Sequence, residues 1–181
     1  MEKAQARSNG LAARDALDTY TAEKYSDIII GKFIEEFSSF NSFLCYASIK
    51  SEVRTQKLIK ILYEMNRKVY LPKITDGNIG IGIYGGEGSL VKGAYGVSEP
   101  VQCAPIEKID VAIVPGTAFD RKCVRTGYGK GYYDRLLKQS GTGFIVGFAF
   151  ECQVVDDICA EPHDVPCGLL ITEKYIYRRN S

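Results

Sequence analysis

Residues 109–116 read IDVAIVPG, a continuous apolar run closed by Pro-Gly. A strand with one wet face alternates apolar and polar residues, whereas a strand that is apolar throughout needs cover on both faces. The run therefore predicts a central strand with a layer of structure above and below it. Further strands are predicted at 43–49 (FLCYASI), 69–72 (VYLP, stopped by Pro72), 80–84 (GIGIY), 143–150 (GFIVGFAF) and 169–172 (LLIT). TEKYIYRR adds a last extended piece. Helices fall before and between them. Residues 3–18 are Ala-rich and polar, and 22–37 carry an apolar stripe of Ile28, Ile29, Phe33 and Phe37. Residues 55–66 place Leu58, Ile61, Leu62 and Met65 at i, i+3, i+4 and i+7, with Ser51 or Thr55 as the cap. Residues 131–139 (GYYDRLLKQ) read as a helix, while 85–105 and 160–168 read as loops, the former with short extended pieces at most. Strands alternating with helices, several of them apolar throughout, predict an α/β fold. It is a single domain over 1–181, with a largely parallel sheet between two outer layers. Ligands in such sheets bind beyond the carboxyl ends of the strands, so the loop after the 109–114 strand is the place to look.

Composition narrows the function classes. Lys plus Arg is 23 and Asp plus Glu is 22, a formal net charge of +1. No global basic field draws such a chain to nucleic acid or to an anionic membrane. The opening MEKAQARSNG has no apolar core, and no apolar run approaches the roughly 18 residues of a membrane span. The expectation is a cytoplasmic monomer. Six cysteines (Cys45, Cys103, Cys123, Cys152, Cys159, Cys167) include no Cys-x-x-Cys pair and read as reduced, mostly buried thiols. One histidine, His163, excludes a His-rich zinc site.

The segment RTGYGKGYYDRLL (125–137) carries the chemistry. Gly127, Gly129 and Gly131 alternate between Arg125 and Lys130, and a helix follows. Glycines let a backbone approach a ligand closely, and exposed N–H groups at a helix start make an anion cradle. The Arg125 fork and the Lys130 charge suit phosphate oxygens. A Walker A loop is excluded, because Val124 stands where its first Gly belongs and Gly131 where its Ser or Thr belongs. A dinucleotide fingerprint is excluded by Tyr132 at its third Gly position. A surface turn before a helix is the plain alternative. Asp134 follows in the first helical turn, where it offsets the helix dipole or serves as an oxygen ligand for Mg²⁺. Asp164, in EPHDVP, is a second carboxylate of that kind or a loop cap.

IVPGTAFDRKCVRTGYGKGYYDRLL (113–137) resembles the signature of the 5-formyltetrahydrofolate cyclo-ligase family. Lys3 and Arg7 keep that family's Lys-x-x-x-Arg spacing. Ser51-Glu52-Val53 with Thr55, Leu71-Pro72, the Gly96 to Pro100 turn and Thr172-Glu173 match in order. Two residues depart from the pattern: Arg54 stands where an acidic residue is common, and Thr126 replaces a usual Leu or Met.

The resemblance implies an ATP- and Mg²⁺-dependent enzyme that closes 5-formyltetrahydrofolate to 5,10-methenyltetrahydrofolate, releasing ADP and phosphate, on a fold similar to the sugar-phosphate isomerase and CoA-transferase group. It implies that Lys3, Arg7 and the run Arg125, Thr126, Gly127, Tyr128, Gly129, Lys130, Gly131, Tyr132 and Tyr133 hold ATP. Arg125, Lys130 and Tyr132 would act on the reacting groups. Ala47, Glu52, Tyr95, Tyr128 and Tyr132 would hold the folate, and Asp134 and Asp164 the Mg²⁺. Without the resemblance, Lys3 and Arg7 read as a solvated helix face and Glu52 as a helix-start residue. The competing readings are a non-catalytic nucleotide- or folate-binding relative and an RNA-binding accessory protein. The retained basic and acidic residues oppose the first, and the neutral charge opposes the second.

Overall fold

A computed structural model describes residues 1–75, 77–93 and 96–179. The chain opens with α1 (Lys3–Asp15) and α2 (Thr19–Phe37). Their boundary is set by Asp18, whose carboxylate accepts from the Thr21 N–H at 2.9 Å and so caps α2. The cap ends the first helix before residue 18 and starts the second before residue 22. The buried face of α2 is Ala22, Ser26, Ile29, Ile30, Phe33 and Phe37. Ile28, expected in that stripe, is exposed, because two residues of helical rotation carry it away from Ile30.

A short strand β1 (Ser42–Leu44) leads to α3 (Gln56–Glu64). Buried Leu58, Ile59 and Leu62 anchor α3, while Met65 lies beyond its end and is exposed. Thr55 sits at the start of α3 but does not cap it. Its hydroxyl donates to the Tyr46 carbonyl and accepts from the Ser48 N–H, which holds the loop before the helix. Then come β2 (Lys68–Thr75), β3 (Asn78–Ile83) and the small hairpin β4 (Leu90–Lys92) and β5 (Ser98–Pro100). The central strand β6 (Val111–Val114) is buried throughout. After it come β7 (Ala118–Asp120), β8 (Arg125–Thr126), α4 (Tyr132–Ser140), β9 (Phe144–Phe148), β10 (Val154–Val155), β11 (Leu169–Ile171) and β12 (Ile176–Arg178).

Seven strands form one sheet in the order β12-β11-β9-β6-β1-β2-β3. The five from β11 to β2 are mutually parallel and the two edges are antiparallel. A second sheet, β10-β7-β8, stands beyond it. Period-two alternation divides the core. Val111 and Ile113 pack with Phe33, Phe43, Leu58 and Phe148 on one face. Ala112 and Val114 pack with Leu136, Leu137, Phe119 and Leu170 on the other. The fold is a mixed α/β domain with a large, mostly parallel sheet covered on both faces, as the apolar run predicts. Among the described residues no helix is long and apolar enough to cross a membrane.

Three further expectations are corrected. Strand β1 stops at Leu44 rather than continuing to 49. Strand β2 runs through Pro72 to Thr75. The Tyr70 carbonyl accepts from Cys45 N–H, and residues two apart point the same way, so Pro72 directs its donor-less nitrogen past the end of β1. Two residues on, Ile74 N–H donates to the Glu99 carboxylate at 3.3 Å. The third correction concerns the thiols: all six are free, but only Cys45, Cys123 and Cys167 are buried.

Candidate active site

Where β1 and β6 stop, the chain turns outward and leaves a cleft of about 560 Å³ at the carboxyl ends of the parallel strands. Its floor includes Tyr46 and Ala47 beyond β1, Pro115 and Gly116 beyond β6, and Pro72 and Ile74 on the longer β2.

One wall is the glycine loop. It leaves β8, whose two residues hold Arg125 in the small sheet, and runs into α4. Gly129 and Gly131 have φ of 92° and 62°, left-handed values that admit glycine readily. Gly131 occupies the cap position of α4 with no side-chain cap, so the first N–H groups of the helix lack that partner. Helix α1 lies against this loop. The Arg7 Nε donates to the Gly127 carbonyl at 2.6 Å, and a side chain at Gly129 would sit 3.5 Å from the Arg7 guanidinium. Lys130 is exposed, with its ammonium 5.8 Å from the Tyr132 ring centre and the Arg135 guanidinium 5.2 Å from it.

Arg125 is buried and pairs with Asp134 at 2.7 Å. The same Asp134 oxygen accepts from the Val165 N–H at 3.1 Å. The Arg125 Nε is buried with no hydrogen-bond partner among the described residues, a donor left over beside the loop. Lys3 closes the far end of the wall. Its ammonium lies 2.7 Å from Asp164 and also pairs with Glu161. Burial alone would raise the Asp164 carboxyl; the Glu161 N–H and the Lys3 ammonium outweigh it and hold it below the ordinary value.

The opposite wall carries Glu52, buried, whose carboxylate accepts from the Ile49 N–H at 2.9 Å. Burial raises its carboxyl above the ordinary range against the pull of that N–H and of the Arg14, Lys50 and Arg54 charges. Burial likewise pushes up the phenols of Tyr46 and Tyr133. Tyr128 stands between the walls, 46% exposed, with the Lys50 ammonium 5.7 Å from its ring centre.

The structure thus brings Lys3, Arg7, Ala47, Glu52, Asp134, Asp164 and the whole run from Arg125 to Tyr133 to one cleft. Tyr95 lies outside the described residues. Arg54 is not on the cleft lining; it folds back to donate to the Lys50 carbonyl, and its own N–H is held by Ser26. Sequence reasoning missed Tyr46, Lys50, Glu99, Glu161 and His163, which all line the cleft. The carboxylates of Asp134 and Asp164 are the hard oxygen donors Mg²⁺ takes. The ligand atoms of Glu161, His163 and Asp164 lie within 4.8 Å of one another, a group that leaves out Asp134, whose carboxylate is held by Arg125.

A covered parallel sheet, a basic glycine loop at its carboxyl end and a facing carboxylate define an α/β enzyme. A model of the 5-formyltetrahydrofolate cyclo-ligase family matches residues 1–173, and the chain belongs to that family. It is 33% identical over 160 residues to the 5-formyltetrahydrofolate cyclo-ligase of Haemophilus influenzae, covering 83% of this chain and 85% of that one. The Escherichia coli K12 protein of the same name is 32% identical over 141 residues, covering 73% and 78%. The solution structure of Aquifex aeolicus 5,10-methenyltetrahydrofolate synthetase superposes with a TM-score of 0.88 at 32% identity, over 99% of this chain and 93% of that one.

Proposed function

We propose that the protein converts 5-formyltetrahydrofolate to 5,10-methenyltetrahydrofolate at the expense of ATP. The observation that carries this is the meeting of two walls in one cleft: the glycine loop with Arg7, Arg125 and Lys130 on one side, Glu52 on the other. Family membership supports the same reading.

A formamide oxygen is a poor leaving group. Transfer of the γ-phosphoryl group to that oxygen breaks the bond to ADP and turns the oxygen into part of a phosphate. The bridging anilino nitrogen then attacks the activated formyl carbon. Its proton and the phosphate depart, and the ring is left with a C=N⁺ bond. Protein catalysis here is positioning and charge neutralisation. Loop N–H groups and the Arg7, Arg125 and Lys130 charges meet the phosphate oxygens. Glu52 accepts hydrogen bonds from the reacting end of the folate, and Tyr128 and Tyr132 stand where the two substrates meet. Asp134 and Asp164 would hold Mg²⁺, which neutralises phosphate charge when bound. Lys3, which pairs with Asp164 and Glu161, is poised to leave them for the nucleotide. The enzyme acts on small molecules as a cytoplasmic monomer. The alternation of layers also supports kinship with the sugar-phosphate isomerase and CoA-transferase group of folds.

The test mixes protein, 5-formyltetrahydrofolate and Mg²⁺ with and without ATP and follows the near-ultraviolet absorbance of the conjugated methenyl product. An ATP-dependent rise is expected. A flat trace from folded protein that binds both substrates would overturn the reading in favour of a binding-only relative.

A further inference from the structure

Helix α1 presents a third basic residue behind the cleft. Lys3, Arg7 and Arg14 stand at i, i+4 and i+11, a single helical face. The first two line the cleft; Arg14 does not, and is 1% exposed. Its guanidinium reaches three separate segments. The Nε donates to Ser51 Oγ at 2.9 Å, on the loop that carries Glu52. One terminal nitrogen donates to the Gly116 carbonyl at 3.3 Å, beyond β6. The other donates to the Tyr128 hydroxyl at 3.0 Å, on the glycine loop. Ser51 in turn donates to Asp15, the next residue of α1.

A buried cation is a poor choice for stability alone, since a well-packed apolar residue is as good or better at such a place. What a guanidinium offers instead is a rigid fork that fixes several acceptors at set angles. Here the acceptors belong to the folate-side wall, the floor and the nucleotide-side wall. We propose that Arg14 is a positioning residue that locks the Glu52 loop to the glycine loop, setting the register in which formyl oxygen and γ-phosphate meet. This rests on the two-substrate reading above. Arg14 touches neither substrate, so its loss leaves each wall able to bind while the walls lose alignment.

The test measures kcat and both KM values for wild type, Arg14→Lys, Ser51→Ala and the double variant, with circular dichroism as the check on folding. Arg14→Lys keeps the charge and loses the fork. The expected result is a fall in kcat of about tenfold, within the ~100-fold that a 1 Å misplacement can cost. Both KM values should stay within about twofold, since uniform binding is untouched. Ser51→Ala should lower kcat less, and should add nothing in the Arg14→Lys background, because the two act through one bond. Ser51→Ala removes one hydroxyl from a half-buried site and carries the test if Arg14→Lys does not fold. Unchanged kcat in Ser51→Ala, a rise confined to one KM, or additive losses would overturn the proposal. A wild type that makes no product overturns the two-substrate reading and this inference with it; an active wild type with unchanged variants overturns this inference alone.

Discussion

Arg125 and Lys130 flank the same glycine loop, yet burial separates what their removal does. Lys130 is exposed, so Lys130→Ala should leave the melting temperature almost unchanged while raising the KM for ATP. Arg125 is buried against Asp134, and breaking a buried pair from one side typically costs about 3–5 kcal/mol. Arg125→Ala should therefore melt well below wild type as well as losing ATP use; equal melting temperatures for the two variants would show that the pair adds nothing. Asp134→Asn removes the same partner from Arg125 and a hard donor from the proposed Mg²⁺ site. It should raise the Mg²⁺ concentration needed for half-maximal rate, which a titration of rate against Mg²⁺ reads directly. Glu52 gives a pH signature. Its carboxyl is raised in the folded state, chiefly by burial, so the folded protein holds that proton longer than the unfolded chain. Ionising Glu52 is no burden below its ordinary value, becomes one as pH climbs towards the raised value, and is constant above it. Melting temperatures of Glu52→Gln and wild type should diverge over that window, with the variant gaining as pH rises. Such roles differ in how far the sequence discloses them. The glycine spacing is visible because backbone approach demands a residue without a side chain. Arg14 is not, since on a polar helix it reads as one more surface charge, and Tyr46 is hidden inside an apolar run.

Among the elements, α1 has the most to lose from a small change. Gly10 faces β7 so closely that a Cβ there would fall 2.1 Å from the Thr117 carbonyl oxygen. Gly10→Ala must push the helix off the small sheet, and overpacking of this kind costs about 1–3 kcal/mol. The same displacement moves Lys3, Arg7 and Arg14 together. Denaturant unfolding should show the loss of stability, and the KM for ATP should rise with it. A variant with wild-type values in both would mean that the helix tolerates the shift. The longer helices were legible because periodicity needs length: α2 and α3 fall where their apolar stripes put them, with Ile28 and Met65 the exposed exceptions, while β6 and β9 fall within their apolar runs. The small sheet was not. Strands of two or three residues, such as β7, β8 and β10, have no period to read, and their pairing is set by the turn that Asp120 holds through the N–H groups of Lys122, Val124 and Ile158. Pro72 misled for the opposite reason, since a proline stops a strand only where a neighbour needs its N–H.

For the molecule as a whole, the layered packing sorts the thiols. Burial raises Cys45, Cys123 and Cys167, the last two to about 11 and about 12. Cys103, Cys152 and Cys159 are exposed, although partial burial raises the Cys152 thiol too and should make it the slowest of the three. An aromatic disulfide reagent at neutral pH should label three thiols in the native protein and all six only after unfolding; fast labelling of a fourth would show that a layer opens readily. The layer arrangement was legible from one apolar strand, and so was the position of the cleft beyond its carboxyl end; the step that shapes the cleft was not, because it comes from a difference in length between neighbours. Strand β1 ends at Leu44 while β2 continues to Thr75, and the space above the shorter strand is where the substrates would lie. The residues that fill that step, 45–52, contribute little to strand pairing. Side-chain changes within 45–50 can therefore retune what the cleft accepts, while the hydrogen-bonded frame beneath and the Ser51–Glu52 anchor at the end of the stretch stay in place.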